Sequence, residues 1–218
     1  MAPTSLKRKL SLIAKAQSRF ADASHDFNHT QRVVQISEKI GIEERTDLEI
    51  LIPAAMFHDS VVSRKNDPRA RSDTIRSAKF AKKVLSGINN YPSNKIVKVS
   101  AAIRECSYTF GGNVGFLEGK IIQDADRLDA IGAIGIMRAF ATTGQLQIPL
   151  FHDNDPFCRR RNPNQRRYGL DFIFTRMLRI ETGMNTDTGK KIASQRTAYL
   201  RSFLDQIDIE LKQSMAES

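Results

Sequence analysis

The chain has 218 residues, with 34 lysines and arginines against 24 aspartates and glutamates, which gives a net charge of +10. This length is enough for one large domain with a full hydrophobic core, so a structural metal or disulfide is not needed. Two cysteines are too few for a disulfide framework, and no apolar run reaches the roughly 18 residues of a membrane span. We therefore expect a soluble cytoplasmic protein, a single domain over residues 1–218, and an anionic partner.

Helical periodicity dominates the start of the chain. Apolar residues at helical spacing predict an amphipathic helix over residues 6–20. A second helix follows, places His29 in its first turn beside its apolar face, and ends at Gly41. Its alternative N-terminal caps are Ser24, Asp26 and Asn28.

The third predicted helix is the most apolar stretch and closes on a His-Asp pair. It runs from a cap at Thr46 or Asp47 to about residue 59, and its apolar character on every face is typical of a central helix. Pro53 removes a backbone donor, which predicts a kink or a later start. His58 and Asp59 are costly to bury side by side without a cation, so we interpret them as neighbouring metal ligands.

A polar, basic loop comes directly after this pair. Residues 63–72 contain four cationic side chains, which suit phosphate oxygens. A solvated surface loop is the alternative interpretation, and composition alone does not decide between the two.

Further helices are predicted over residues 73–85, 93–106 and 121–140, and a final long helix begins at about residue 187. Because no run of alternating strand residues occurs, the predicted fold class is all-α. The stretch over residues 142–168 is rich in proline and arginine and is loop-like. Its length favours a functional role, and a lid and a partly disordered excursion both remain open.

Three carboxylates lie close together near the start of the helix over residues 121–140. They belong to Asp124, Asp126 and Asp129, of which the last two share one side of the helix. The three would repel one another if all were desolvated, so at least one should meet a cation or Arg127.

His29, His58, Asp59 and one aspartate of this cluster would supply two imidazoles and two carboxylates. Such a mixed site suits Mn²⁺, Fe²⁺, Co²⁺, Ni²⁺ or Zn²⁺ better than Ca²⁺ and leaves positions for water and substrate. A lone histidine on an apolar helix face is more often a hydrogen-bonded core residue than a ligand. The prediction of a metal site therefore depends on the occurrence of all these residues together.

Residues 25–33, 54–59 and 123–135 strongly resemble segments of the HD-domain metal-dependent phosphohydrolases, and the resemblance extends over nearly the whole chain. It favours the small stand-alone branch of that family. It implies an HD-domain helical bundle and a divalent metal cofactor, which can be Mn, Fe, Co, Ni, Zn or Mg. The implied ligand set is His29, His58, Asp59 and Asp126, with Asp124 as the alternative to Asp126.

The resemblance also implies a reaction, which is cleavage of a phosphoester or phosphoanhydride by metal-activated water. A nucleotide is the favoured substrate. Lys65 and Arg71 would bind substrate phosphate, while Asp129 would orient water or pair with Arg127. With Asp59, these three form the predicted catalytic set.

Cys106 departs from the family pattern, because relatives usually carry a histidine there. This departure and the arginines at 159–161 motivate an alternative function, a non-catalytic protein of the same fold that binds a nucleotide or nucleic acid through its basic loops. The intact ligand set favours the enzyme, so a small phosphorylated substrate is preferred over nucleic acid as the partner. The sequence predicts no membrane partner and leaves the oligomeric state open.

Overall fold

The computed structural model describes most of the chain, namely residues 4–18, 26–63, 67, 72–106 and 114–216. Within these ranges the chain consists of helices, turns and loops and contains no strand, which confirms the all-α prediction. No helix in the described ranges has the length and apolarity to cross a bilayer. The chain divides into two compact units, Met1–Asp126 and Arg127–Ser218.

Helix α3 is the centre of the first unit. It is surrounded by α1, α2, α4 and α5, and its side chains are buried from Ile50 to Phe57, as the apolar pattern predicts. The helices are α1 (Thr4–Gln17), α2 (Phe27–Glu43), α3 (Leu48–Phe57), α4 (Asp73–Ser86), α5 (Ser93–Glu105) and α6 (Leu117–Asp129), the last of which ends in the second unit.

The N-terminal cap of α3 is Asp47, whose carboxylate accepts the backbone N–H of Glu49 at 2.9 Å. Pro53 lies inside the helix and cannot donate to the carbonyl of Glu49, four residues earlier. That carbonyl accepts the hydroxyl of Tyr91 at 2.6 Å instead. The proline is therefore accommodated by a side chain from outside the helix, and α3 still begins at Leu48.

Helix α2 begins as predicted but ends later. Of the three candidate caps, Asp26 accepts the backbone N–H of His29 at 2.8 Å. The predicted end at Gly41 is wrong, because the helix continues to Glu43. A Cβ atom at Gly41 would clash with the side chain of Leu51 on α3, so this glycine allows α2 and α3 to pack closely.

The second unit is built around a long C-terminal helix. The elements are α7 (Gly132–Gln145), α8 (Asp171–Thr175), two 3-10 turns (Met177–Arg179 and Glu181–Gly183) and α9 (Asp187–Ala216). Helix α9 packs against α7 and both turns, and its start confirms the prediction of a final helix from residue 187.

The single helix predicted over residues 121–140 is wrong, because α6 ends at Asp129 and α7 starts at Gly132. Gly132 has a φ of +73°, a left-handed conformation that cannot continue an α-helix. The guanidinium of Arg196, on α9, donates to the carbonyl of Leu128 at the end of α6. The break is thus stabilised by a residue distant in sequence.

Candidate metal centre

The two histidines of the predicted site lie at the ends of helices. His29 lies in the first turn of α2, and its side chain is only 1% exposed. His58 directly follows α3, and its Nδ1–H donates to the carbonyl of Ala55 at 2.7 Å. This hydrogen bond fixes the ring and leaves Nε2 as the ring atom that faces the carboxylates.

The structure brings all four predicted ligands together. His29 Nε2 lies 3.4 Å from Asp126 Oδ1 and 4.0 Å from Asp59 Oδ2, and His58 Nε2 lies 3.5 Å from Asp59 Oδ2. The candidate ligand atoms of His29, His58 and Asp126 all fall within 4.8 Å of one another. Two donors that each lie about 2.1 Å from one ion are separated by about 3 to 4 Å, so the three distances between imidazole nitrogens and carboxylate oxygens fit a shared metal ion.

The four predicted ligands, which together form the cluster, differ in burial. The Nε2 atoms of His29 and His58 are buried, whereas the side chains of Asp59 and Asp126 are 30% and 51% exposed. A metal ion held here would have imidazole nitrogens on its protein side and carboxylates towards solvent.

Comparisons with known proteins agree with this geometry. The family model of the HD domain matches residues 26–131, a range that contains all four residues of the cluster. The uncharacterized protein YpgQ of Bacillus subtilis (strain 168) is 31% identical in an alignment of 222 positions that covers 98% of each chain. The chain belongs to the HD-domain family.

Solved structures support the same assignment. B. subtilis YpgQ, crystallised in complex with ADP, superposes on this HD-domain protein with a TM-score of 0.70 at 27% identity, over 94% of this chain and 95% of that one. An HD-superfamily hydrolase of Bacillus thuringiensis gives a TM-score of 0.72 at 25% identity, over 95% and 97%. The HD-domain protein thus has the fold of HD-superfamily hydrolases, as the resemblance implied.

The other two predicted aspartates of this HD-domain protein are deeply buried. The side chain of Asp124 is fully buried, and that of Asp129 is 1% exposed. Asp129 forms an ion pair with Arg138 on α7 at 2.7 Å, while Arg127 donates to the carbonyl of Gly183. The pairing with Arg138 was not predicted, because it depends on the break between α6 and α7.

Cys106 caps the C-terminus of α5, and its thiol donates to the carbonyl of Ile103 at 3.1 Å. Burial raises the pKa of this thiol well above its ordinary value, and the negative charges of Asp59 and Asp126 raise it further. The thiol at the C-terminus of α5 is therefore held in its neutral form. Its neighbours Ser107 and Tyr108 lie outside the described residues.

The segment that follows Asp59 is hydrogen-bonded to α4, a feature that the sequence did not reveal. The backbone N–H of Val61 donates to the buried hydroxyl of Ser77 at 3.0 Å. Ser63 donates to Asp73 through both its backbone N–H, at 2.7 Å, and its hydroxyl, at 2.8 Å. Both predicted phosphate ligands of the basic loop, Lys65 and Arg71, lie outside the described residues.

Proposed function

We propose that this HD-domain protein is a metal-dependent phosphohydrolase that cleaves a phosphoester or phosphoanhydride of a nucleotide. The observation that carries the proposal is the meeting of two buried imidazole nitrogens with two partly exposed carboxylates. Similarity to HD-superfamily hydrolases supports a hydrolytic reaction. No serine or cysteine nucleophile is required for it.

His29, His58, Asp59 and Asp126 would hold the metal ion. Two nitrogen and two oxygen donors fit Mn²⁺, Fe²⁺, Co²⁺, Ni²⁺ or Zn²⁺, and Mg²⁺ is the remaining candidate. The chemistry that a divalent ion supplies in such a site is polarisation of a phosphoryl oxygen and acidification of water. The ring of His58 is held in a ligating orientation by the carbonyl of Ala55, so little rotational freedom is lost on binding.

Three further residues have proposed roles in substrate handling. Lys65 and Arg71, in the basic loop after Asp59, would bind the phosphate and neutralise charge that develops in the transition state. Asp129 would orient water, a role that rests on the family resemblance. The nucleotide as substrate class is supported by the net charge of +10 and by the binding of ADP to the related YpgQ.

The test is to measure metal content and hydrolysis of nucleoside mono-, di- and triphosphates in wild type and in His58→Ala. Product analysis for orthophosphate and pyrophosphate identifies the bond that is cleaved. We expect wild type to bind about one ion and to hydrolyse at least one nucleotide, and His58→Ala to lose both properties. His152→Ala is the matched control, since His152 lies in the second unit outside the cluster. Equal metal content and activity in His58→Ala and wild type would contradict the proposal.

A further inference from the structure

The arginine-rich segment of the second unit is an ordered loop whose acidic groups stabilise the loop itself. The carboxylate of Asp155 accepts the backbone N–H groups of Arg159, at 2.9 Å, and of Arg160, at 2.8 Å. These backbone hydrogen bonds hold the pKa of Asp155 below its ordinary value. Its negative charge is therefore directed at the backbone, while the side chain of Arg160 remains exposed.

Asp171 also stabilises the loop through hydrogen bonds, but from its buried side. Both of its oxygens accept hydrogen bonds from the guanidinium of Arg161 at 2.6 Å, and it also accepts the backbone N–H of Asn164 at 2.5 Å. The thiol of Cys158 donates to it at 3.4 Å. This fully buried carboxylate neutralises Arg161 and fixes the course of the loop on both sides of it.

Aromatic rings orient further guanidinium groups. The guanidinium carbon of Arg161 lies 4.8 Å from the centre of the Tyr168 ring, and that of Arg167 lies 5.7 Å from it. The guanidinium of Arg159 lies 5.3 Å from the Phe157 ring and also pairs with Asp208 on α9 at 3.1 Å. Arginine planes are thus held at defined positions on the loop surface.

Three arginines remain directed at solvent. Arg160, Arg166 and Arg167 are exposed, and none of them forms an ion pair with a carboxylate in the part of the chain that the structure describes. One further acid of the loop, Asp153, is exposed. The carboxylates of Asp155 and Asp171 thus form hydrogen bonds within the loop region, and the loop exposes more positive than negative side chains to solvent.

We propose that Arg160, Arg166 and Arg167 form a binding surface for single-stranded nucleic acid. Guanidinium groups donate to phosphate oxygens in forked pairs, and their planes also stack on exposed bases, which a duplex keeps inside its stack. A flexible single strand can adjust the positions of its phosphates to those of the arginines. This surface shares no residue with the candidate metal centre.

The test uses the full chain and fluorescence anisotropy with labelled single-stranded RNA and DNA of about 20 nucleotides, a length above typical site sizes. We expect binding at low salt that weakens steeply with salt. The variant Arg160→Gln/Arg166→Gln/Arg167→Gln should bind about tenfold more weakly. Its slope of log affinity against log salt should fall by about 2, since each phosphate contact in a single strand contributes about 0.7.

Matched controls separate this surface from general charge attraction. Lys79→Gln/Lys82→Gln/Lys83→Gln removes the same charge from exposed positions on α4 and should leave affinity and slope unchanged. The substitution His58→Ala should also leave oligonucleotide binding intact. The outcome of this test therefore does not depend on whether the proposed hydrolase activity is found. Equal loss in the lysine variant, tighter binding to duplex or to anionic lipid vesicles than to single strands, or no binding at low salt would each overturn the proposal.

Discussion

The Nε2 atom of His29 lies 3.4 Å from Oδ1 of Asp126, so a buried imidazole on α2 faces a half-exposed carboxylate on α6. Asp124, on the same helix, is fully buried, whereas the carboxylate of Asp126 is one of the candidate ligand atoms that lie within 4.8 Å of one another. The geometry thus supports Asp126 as the fourth ligand and gives the two aspartates different expected phenotypes.

Asp126→Asn should weaken divalent metal binding by more than about tenfold, because an amide oxygen replaces a charged ligand beside His29. Nucleotide hydrolysis should fall in parallel. Metal affinity can be measured by calorimetric titration of the metal-free protein with Mn²⁺, and activity by product formation at saturating metal.

Asp124→Asn is the matched control on the same helix. It should retain metal affinity within about threefold if Asp126 is the fourth ligand, because Asp124 is then not needed to hold the ion. A loss of metal binding in Asp124→Asn, with retention in Asp126→Asn, would reverse the assignment of the fourth ligand.

Gly132→Ala should destabilise the protein by about 1 to 3 kcal/mol. A Cβ atom there would occupy a backbone with a φ of +73° and lie 3.2 Å from the side chain of Arg196. Gly144→Ala in the same helix is the control, since apart from its chain neighbours and the backbone of its own helix no heavy atom lies within 4 Å of its Cβ position. That substitution should stabilise by about 0.5 to 1 kcal/mol. Urea denaturation of both variants tests whether their changes in unfolding free energy have opposite signs.

Local chemistry in the sequence was enough to place the starts of α2 and α3, the helices that position His29 and His58. Asp26 and Asp47 are short acidic side chains before apolar helical runs, and each accepts a backbone N–H in the first turn of its helix. The same reasoning identified the His58–Asp59 pair, because two adjacent polar groups at the end of a buried helix need a partner.

Features that depend on tertiary contacts were not predictable from local patterns. Gly41 looked like a helix end, but its lack of a side chain serves the packing of α2 on Leu51. The end of α6 depends on Arg196, which lies far along the chain. The family resemblance, rather than any spacing, predicted that His29 and Asp126 would meet, because the loops between three helices do not fix their distance.

Ser77→Ala should destabilise the protein by about 1 to 2 kcal/mol, because the backbone N–H of Val61 loses its hydrogen-bond acceptor. It should also weaken metal binding modestly, since Val61 follows Asp59 closely and the segment would be held less firmly. Thermal unfolding with and without added Mn²⁺ measures both effects.

Ser37→Ala is the control for that substitution. Ser37 is as fully buried as Ser77, but its hydroxyl has no hydrogen-bond partner among the described residues. Its removal should be neutral or slightly stabilising and should leave metal affinity unchanged. If both variants lose the same stability, then the bond to Val61 is not the cause.

Asp171→Asn should cost about 3 kcal/mol at neutral pH, because it leaves the guanidinium of Arg161 without its charged partner on the buried side of the loop. Asp208→Asn removes an ion pair with the exposed Arg159 and should cost less than about 1 kcal/mol. Chemical denaturation at neutral pH compares the two. Equal costs would mean that burial of the pair at Asp171 does not matter.

The stability lost in Asp171→Asn should depend on pH. Burial alone would raise the pKa of Asp171, but hydrogen bonds from Arg161, the backbone of Asn164 and the thiol of Cys158 outweigh it and hold the pKa below its ordinary value. A carboxyl with a lowered folded-state pKa stabilises the protein above its unfolded-state pKa of about 4, and this contribution is lost as pH falls through the folded-state pKa. The difference in unfolding free energy between wild type and Asp171→Asn should therefore be largest above about pH 5 and shrink towards pH 2. Denaturation series at intervals across this range measure it, and a difference that stays constant with pH would contradict the assigned charge of Asp171.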